Sequence, residues 1–315
     1  MKTALPLVIA GATGVGKTAI ALEVARKLGG EIISVDSMQV YRGLDIGTAK
    51  ATAKEREEIR HHLIDVCDLS EGFDAASFVK KADQAVIEIG ERGHVPIFCG
   101  GTGLYLSAWL EGLGEAPASD TGLRAELESL PIADLLAELE RLDPKTYGII
   151  DRENRRRVIR AVEVVRLTGK PFSEQRAEWG GEVRPYFGVG LERERVDLHG
   201  RIERRVDEMF ERGLVAEARG VLPQLRQNRT AAQAIGYRQL IDHFDGKMDL
   251  PEAVELVKIK TRQFSKRQRT WFKRQMRLDW IALDEGAKVP DIAEQIVKRF
   301  WDRETRSGCV LNLVR

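Results

Sequence analysis

The sequence predicts an α/β fold, with a parallel sheet flanked by helices and interrupted by an all-α insertion domain. The chain begins with a strand, a glycine-rich loop, a helix and a second strand, which is the pattern of a βαβ unit. Between residues 116 and 185, leucines recur at helical spacing and no strand pattern is present. With 315 residues, 43% of them hydrophobic, the chain can bury a substantial core.

Each predicted element is a short apolar segment bounded by turn residues. The first βαβ unit consists of a strand, a glycine-rich loop, a helix and a strand, at residues 7–10, 11–16, 17–28 and 31–35. Apolar residues at three- and four-residue spacing from Phe78 to Ile89 predict a further helix, and a strand at 95–99 leads into a second glycine loop at 100–103. Because open α/β sheets bind ligands at the carboxyl ends of their strands, the two glycine loops mark the expected ligand edge.

Three segments are expected along the chain. Residues 1–115 form the first part of the core, and residues 116–185 form the helical insertion domain. Strand patterns return at 186–191 and 280–283, so residues 186–315 should complete the core and add basic helices.

The overall charge is nearly balanced but unevenly distributed. Fifty Lys and Arg against 49 Asp and Glu give a net charge of +1, which argues against a generally basic nucleic-acid binder. Residues 258–277 nevertheless hold nine basic and no acidic residues, so 41 basic stand against 49 acidic residues elsewhere, a net charge of −8. Cys67, Cys99 and Cys309 form no CxxC pair and are expected to be free thiols in a reducing compartment. Since no apolar run of about 18 residues occurs, we expect a cytoplasmic protein without a membrane partner, most simply a monomer.

Residues 11–18 satisfy G-x-x-x-x-G-K-[ST] between a predicted strand and a predicted helix. This pattern favours a P-loop NTPase-like fold, in which backbone N–H groups and Lys17 bind phosphate oxygens and Thr18 can hold the cofactor Mg²⁺. Asp36 and Asp65, each after a predicted strand, are candidates to order that ion. The guanine motif Asn-Lys-x-Asp is absent, whereas a small-molecule kinase remains possible. The predicted phosphate-binding residues are Gly11, Ala12, Thr13, Gly14, Val15, Gly16, Lys17 and Thr18.

Six further segments make a family resemblance specific. They read DSMQVYRGLDIGTAK, HHLID, GGTGLY, RRVIRAVEV, GYRQ and KRQRTWF, at residues 36–50, 61–65, 100–105, 156–164, 236–239 and 266–272. With these motifs in order, the chain resembles the tRNA dimethylallyltransferase (tRNA isopentenyltransferase) family over about residues 5–285. One departure is Arg156, where that family usually has Gln.

The resemblance implies transfer of a dimethylallyl group from dimethylallyl diphosphate to the exocyclic amine of the adenosine 3′ of the anticodon, with release of diphosphate. It assigns Asp36 as the base, Thr102 to a place near the adenosine, and Arg219, with Lys17, to the diphosphate. These residue types suit the chemistry, because the leaving group concentrates negative charge and the conjugated amine is a weak nucleophile. Since a stacked adenosine cannot present its amine, it must be flipped out of the loop.

The expected partner is the anticodon stem-loop of tRNA. The resemblance implies RNA contacts from Asp36, Ser37, Met38, Gln39, Thr102, Arg156, Arg157, Val158, Ile159, Arg160, Gly236, Tyr237, Arg238, Gln239, Lys266, Arg267, Arg269, Lys273 and Arg274. Six cations of the basic segment recur every three or four residues, so a helix would place them on one face for RNA phosphates. They are Lys258, Arg262, Lys266, Arg269, Lys273 and Arg277.

Some features have more than one interpretation. Tyr41 fits either a core aromatic or a base-stacking platform, and the adjacent His61 and His62 are expected in a loop. An ATP-dependent small-molecule kinase would turn over ATP without RNA. A non-catalytic P-loop RNA-binding module would bind RNA under nucleotide control and leave no modified base.

Overall fold

The computed structural model describes residues 4–112, 117, 119–177 and 183–306. Cys309 and the boundary expected after residue 115 lie outside these ranges. Contact patterns divide the chain into two compact units, one running to Trp109 and resuming at Pro185, the other comprising Leu110–Arg184. None of the described helices is long and apolar enough to cross a membrane.

The described strands form one parallel six-stranded sheet. They are β1 (Leu7–Gly11), β2 (Gly30–Val35), β3 (His61–His62), β4 (Val95–Gly100), β5 (Phe187–Arg193) and β6 (Asp279–Leu283). Their order is β3-β2-β4-β1-β5-β6, and every neighbouring pair is parallel. The predicted parallel α/β sheet is thus confirmed. The loop expected at His61 and His62 is wrong, because both residues pair with Ile32 and Ile33 as a short edge strand.

Helices occur before, within and after the insertion along the chain. Those before and within the insertion are α1 (Lys17–Leu28), α2 (Ala53–Glu58), α3 (Ala75–Glu91), α4 (Gly103–Glu111), α5 (Thr121–Ser129), α6 (Ile132–Leu142), α7 (Pro144–Ile149), α8 (Arg155–Thr168) and α9 (Phe172–Ala177). Those after it are α10 (Arg195–Glu211), α11 (Leu214–Gly220), α12 (Leu222–Gln227), α13 (Tyr237–Phe244), α14 (Leu250–Gln275) and α15 (Val289–Arg306), with a 3₁₀ turn at Ala231–Gln233.

The core of the larger unit surrounds the central strand β1. All five of its residues are buried, as expected for a parallel strand covered on both faces. On one face, Val24 of α1 and Ile296 and Phe300 of α15 are buried in the same apolar cluster. Fully burying each such large side chain contributes about 1.5–3 kcal/mol. This core fixes β1, and with it the loop that follows the strand.

The described residues of the smaller unit form helices joined by turns and include no strand, as predicted for the insertion. Its core contains Leu127, Leu135, Leu139 and Val158, which are all fully buried. Asn154 caps α8 by accepting a hydrogen bond from the backbone of Arg157, which is an orphan donor of the first turn.

Candidate active site

The loop between β1 and α1 has the backbone of a phosphate-binding loop. Gly14 and Gly16 adopt φ angles of 83° and 107°, a region that strains any residue with a side chain. Gly16 immediately precedes α1, so the positive end of the helix dipole and its free N–H groups lie at this loop. The sequence therefore predicted both the position of this glycine loop and the helix that follows it.

Lys17 begins α1 and carries the first cation of the site. Its Nζ donates to the carbonyls of Gly11 and Ala12, both at 2.9 Å. Desolvation lowers the pKa of Lys17 to about 8, with Arg205 acting in the same direction and the negative charge of Asp36 opposing it. The ammonium is therefore charged at neutral pH and close to titrating.

Three arginines that sequence reasoning missed hold the same loop. Arg205 Nη1 lies 3.2 Å from Thr13 Oγ1, Arg201 Nε donates to the carbonyl of Gly14 at 3.1 Å, and Arg193 Nε donates to that of Val15 at 2.9 Å. Desolvation lowers the pKa of Arg205, while Asp36 opposes the shift. The sequence did contain a signal for two of these arginines. Arg201 and Arg205 are four residues apart in α10, the helix that follows β5, and therefore lie on the same face of that helix.

Asp36 and Thr102 come together where β2 and β4 end. Asp36 Oδ1 accepts from the backbone of Met38 at 2.8 Å and of Gln39 at 3.2 Å, while no described residue donates to its Oδ2. Thr102 Oγ1 accepts from the backbone N–H of Ser37 at 3.1 Å. The backbone N–H of Thr102 also donates to the carbonyl of Val35, at 3.1 Å. The turn after β2 is thus fixed, and one carboxylate oxygen stays available.

One cavity of about 350 Å³ is lined by members of both groups, although Arg193 and Arg201 are not among its lining residues. Polar residues at its wall include Thr13, Lys17, Thr18, Asp36, Ser37, Gln39, Cys99, Thr102, Arg205, Arg267 and Gln268. Apolar wall residues include Met38, Ile202, Val206, Met209, Ile235, Val257 and Phe264. Burial raises the pKa of Cys99 to about 11, so this thiol stays neutral. Cations at the phosphate loop, one carboxylate and an apolar wall suit a ligand with an anionic and a hydrocarbon part.

Arg219 does not join this cavity. Its side chain is exposed on α11, and its guanidinium stacks over the ring of Phe244, with Cζ 4.4 Å from the centroid. Of the three arginines that contact the phosphate loop, Arg205 from the neighbouring helix α10 is the one that lines the cavity. The assignment of Arg219 to the diphosphate is therefore not supported by its position.

The segment Gly236–Gln239 is mainly structural. Gly236 lines the cavity, but Tyr237 is fully buried and its hydroxyl donates to Glu217 at 2.5 Å. Gln239 is buried and accepts from the N–H of Gly236 at 2.9 Å, and Arg238 Nε donates to Asp242 at 3.1 Å. The side chains of Tyr237 and Gln239 are thus enclosed within the protein, and RNA contact by this segment stays a prediction.

Glu217 was not singled out from the sequence, although it fixes a cavity loop. Its carboxylate accepts from the backbone N–H groups of Asp45, Ile46 and Gly47 at 3.1, 2.7 and 3.1 Å. Gln39 Nε2 in turn donates to the carbonyl of Thr48 at 3.0 Å. The loop at residues 45–49 is therefore held in place by the carboxylate of Glu217, which lies about 170 residues away in the chain.

In the insertion, the segment Arg156–Arg160 also divides into two kinds of residue. Val158 and Ile159 are 0% and 3% exposed, so both side chains are enclosed in the helical core, and RNA contact by this segment stays a prediction. Arg160 donates to buried Glu163 at 2.8 Å, and Arg157 is exposed. This segment belongs to the smaller unit and does not line the cavity.

The basic helix α14 differs from the expected uniform face. Lys258 pairs with Asp207, Arg262 with Glu203, and both Arg269 and Lys273 with Glu192, at distances of 2.8, 2.5, 3.4 and 2.6 Å. Four of the six predicted phosphate-binding cations are thus at least partly neutralised within the chain. Lys260, Lys266, Arg267 and Arg274 have no carboxylate partner among the described residues and are exposed. Arg267 also lines the cavity.

Two open interpretations are decided by burial and pairing. Tyr41 is fully buried, so it is a core aromatic and not a stacking platform. Asp65 accepts hydrogen bonds from Lys50 and Arg56 at 2.5 and 2.7 Å. Although burial alone would raise the pKa of Asp65, these two cations hold it below its usual value. Asp65 is therefore committed to this ion-pair cluster, and Asp36 is the carboxylate that faces the cavity.

Comparison with known proteins shows the family of this chain. The protein-family model described as IPP transferase matches residues 39–275. This chain belongs to that family. It is 46% identical over 288 residues to tRNA dimethylallyltransferase 1 of Trichlorobacter lovleyi, covering 89% of this chain and 94% of the relative. It is 47% identical over 290 residues to tRNA dimethylallyltransferase of Shouchella clausii, covering 89% and 92%.

Solved structures of the family share the fold. The tRNA isopentenylpyrophosphate transferase of Bacillus halodurans matches with a TM-score of 0.70 and 39% identity, covering 98% of this chain and all of that one. A eukaryotic dimethylallyltransferase acting on tRNA matches with a TM-score of 0.78 and 28% identity, covering 98% and 81%. The IPP transferase chain described here therefore carries the family's P-loop NTPase-like core.

Proposed function

We propose that this IPP transferase moves the dimethylallyl group of dimethylallyl diphosphate to the exocyclic amine of the adenosine 3′ of the anticodon in tRNA, giving N6-dimethylallyladenosine and diphosphate. The supporting observation is the shared cavity, in which Lys17 and Arg205 accompany the phosphate loop and Asp36 and Thr102 form a separate polar group. The relatives named tRNA dimethylallyltransferase support the same reaction.

The phosphate loop is proposed to hold the diphosphate as the leaving group. Backbone N–H groups after Gly14, the α1 dipole, Lys17 and Arg205 would face negative charge that grows as the allylic C–O bond breaks. Donors already in place cost little reorganisation during the reaction. The apolar wall, which includes Val206 and Phe264, suits the hydrocarbon part of the donor.

Asp36 is proposed as the base for the attacking amine. As the nitrogen bonds to the allylic carbon and the diphosphate leaves, the surplus N–H proton passes to Asp36 Oδ2, which accepts no hydrogen bond from the described residues. Thr102 lies beside this turn and can orient the flipped base through its hydroxyl.

Mg²⁺ is the proposed cofactor. Among the described residues, no cluster of three His, Cys, Asp or Glu side chains could hold a metal by itself. Thr18 nevertheless offers a hard oxygen donor at the cavity wall, and Mg²⁺ in phosphate sites is commonly held by one or two protein oxygens together with the phosphates. When bound there, the ion would neutralise part of the charge on the leaving diphosphate.

The decisive test is product formation. The protein is incubated with Mg²⁺, labelled dimethylallyl diphosphate and unmodified tRNA carrying adenosine 3′ of the anticodon, and the digested tRNA is analysed for the prenylated nucleoside. A matched tRNA with guanosine at that position should remain unlabelled. If folded protein gives no labelled nucleoside but hydrolyses ATP without RNA, the kinase interpretation replaces this proposal.

A further inference from the structure

One buried side chain of α14 touches both glycine loops of the cavity. Gln268 is 8% exposed, and its Oε1 accepts from the backbone N–H of Thr13 at 2.8 Å. Its Nε2 donates to the carbonyl of Gly101 at 2.9 Å. The loop after β1 and the loop after β4 are therefore bridged by the two ends of a single amide.

The shape of the second loop shows how closely α14 approaches it. A Cβ atom on Gly101 would lie 2.2 Å from Gln268 Nε2, and one on Gly103 would lie 2.1 Å from Trp271 Cε3. Both distances are far below van der Waals contact. Gly101 shows no positive φ, so the requirement for glycine there comes from Gln268 and not from backbone strain.

The bridge continues from Gly101 to the acceptor side of the cavity. The N–H groups of Gly101 and Thr102 both donate to the carbonyl of Val35, at 3.1 Å. Asp36 follows Val35 directly, and Thr102 holds the turn after it through Ser37. Gln268 is thus two hydrogen bonds away from the strand end that carries the proposed base, and one from the phosphate loop.

We propose that Gln268 is a positioning residue. It fixes the phosphate loop relative to the loop after β4, which carries Thr102 on the side of the cavity proposed for the accepting adenosine. The inference rests on the proposed function, because it concerns the alignment of donor and acceptor in that reaction. Only a side chain with one acceptor and one donor at this length can satisfy both Thr13 N–H and Gly101 C=O. Since reacting atoms must approach to about 3–3.5 Å, small displacements of one loop cost rate more than binding.

The test compares kinetic constants of Gln268→Ala with those of Gln263→Ala, an exposed glutamine on the same helix. For Gln268→Ala, kcat should fall about 10- to 100-fold. The KM values and the Kd of inorganic pyrophosphate should stay within about threefold of wild type, because the groups that contact the ligands remain. Gln263→Ala should match wild type. Equal losses of kcat and pyrophosphate affinity, or an unchanged kcat, would overturn the positioning role.

A double-variant cycle adds a readout that a general loss of stability would not produce. Gly101→Ala should displace Gln268 and lower kcat by a similar factor, and Gly101→Ala/Gln268→Ala should be no worse than the poorer single variant. Multiplied losses would contradict the bridge. If Gln268→Ala fails to fold, Gln268→Glu keeps the acceptor for Thr13 N–H while losing the donor to Gly101, and it should still lower kcat selectively. Wild-type protein that forms no product would instead refute the proposed function.

Discussion

The two polar groups of the cavity carry opposite charge and are built in different ways. The phosphate loop, Lys17 and Arg205 form a cationic group, while Asp36 and Thr102 provide a carboxylate and a hydroxyl. Most of the first group is one continuous motif after β1. The second combines the ends of β2 and β4, which are separated by about 65 residues in the chain.

In the proposed reaction, this difference would separate two tasks within one cavity. Stabilising a departing diphosphate requires fixed cations and N–H donors, whereas removing a proton from a weak nucleophile requires a carboxylate with a free oxygen. Substitutions in the cationic group should therefore affect the donor substrate, and substitutions in the acidic group should affect turnover.

Asp36→Asn should have the largest effect. The amide can still accept from the N–H groups of Met38 and Gln39, so the turn should persist, but it cannot take the proton. We expect kcat to fall about 10²- to 10⁴-fold, with tRNA affinity nearly unchanged. Single-turnover kinetics and a tRNA binding titration measure the two quantities. Turnover close to wild type would exclude Asp36 as the base.

Arg205→Gln compared with Arg219→Gln tests which arginine serves the leaving group. Because Arg205 contacts the phosphate loop and Arg219 stacks on Phe244, kcat/KM for dimethylallyl diphosphate should fall about 10²-fold or more only for Arg205→Gln. The tRNA affinity should not change in either variant. The reverse ranking would restore the assignment made from family resemblance.

The pH dependence of donor binding should depend on Lys17. Its pKa of about 8 means that the ammonium is charged below pH 8 and is lost as pH rises through that value. The quantity to compare is the ratio of wild-type to Lys17→Arg affinity for pyrophosphate, because the arginine of the variant does not titrate in this range. Above about pH 8 this ratio should fall, approaching a tenfold decrease per pH unit. Calorimetry from pH 6.5 to 9.5 measures the ratio. A ratio independent of pH would contradict the depressed pKa.

The smallest effects are expected outside the cavity, on tRNA binding alone. Lys266→Ala and Arg274→Ala remove exposed cations without carboxylate partners, whereas Lys258→Ala and Arg262→Ala remove cations already paired with Asp207 and Glu203. If an unpaired cation contacts a phosphate, its removal should reduce the magnitude of the slope of log affinity against log salt by about 0.7–0.9. The paired cations should leave that slope unchanged, as should all four variants for pyrophosphate binding.

Local sequence patterns predicted the parts of this site that depend on neighbouring residues. The phosphate loop, its helix and the strand before it follow from residues 7–28, because glycine conformations and helix N-termini are local properties. The same patterns did not find Arg205 or Gln268. The contact that matters is distant in each case, because Arg205 contacts a loop about 190 residues away in the chain and Gln268 contacts one about 255 residues away.

Charge patterning was misleading for a related reason. The spacing in residues 258–277 correctly predicted that cations share a helical face, but not that Asp207, Glu203 and Glu192 lie opposite it. Likewise, RNA contacts assigned to whole motifs included Val158 and Tyr237, which the fold buries. A linear motif does not distinguish a residue that touches the ligand from one that supports its neighbour.

The sequence by itself determined the parallel sheet, the phosphate loop and the family, since these depend on periodicity and on contiguous motifs. Only the tertiary structure decided which arginines contact that loop, which cations of α14 stay unpaired, and which side chain bridges the two glycine loops. Those properties depend on distances between segments far apart in the chain, and the distances are set when the sheet and the helices pack into one core.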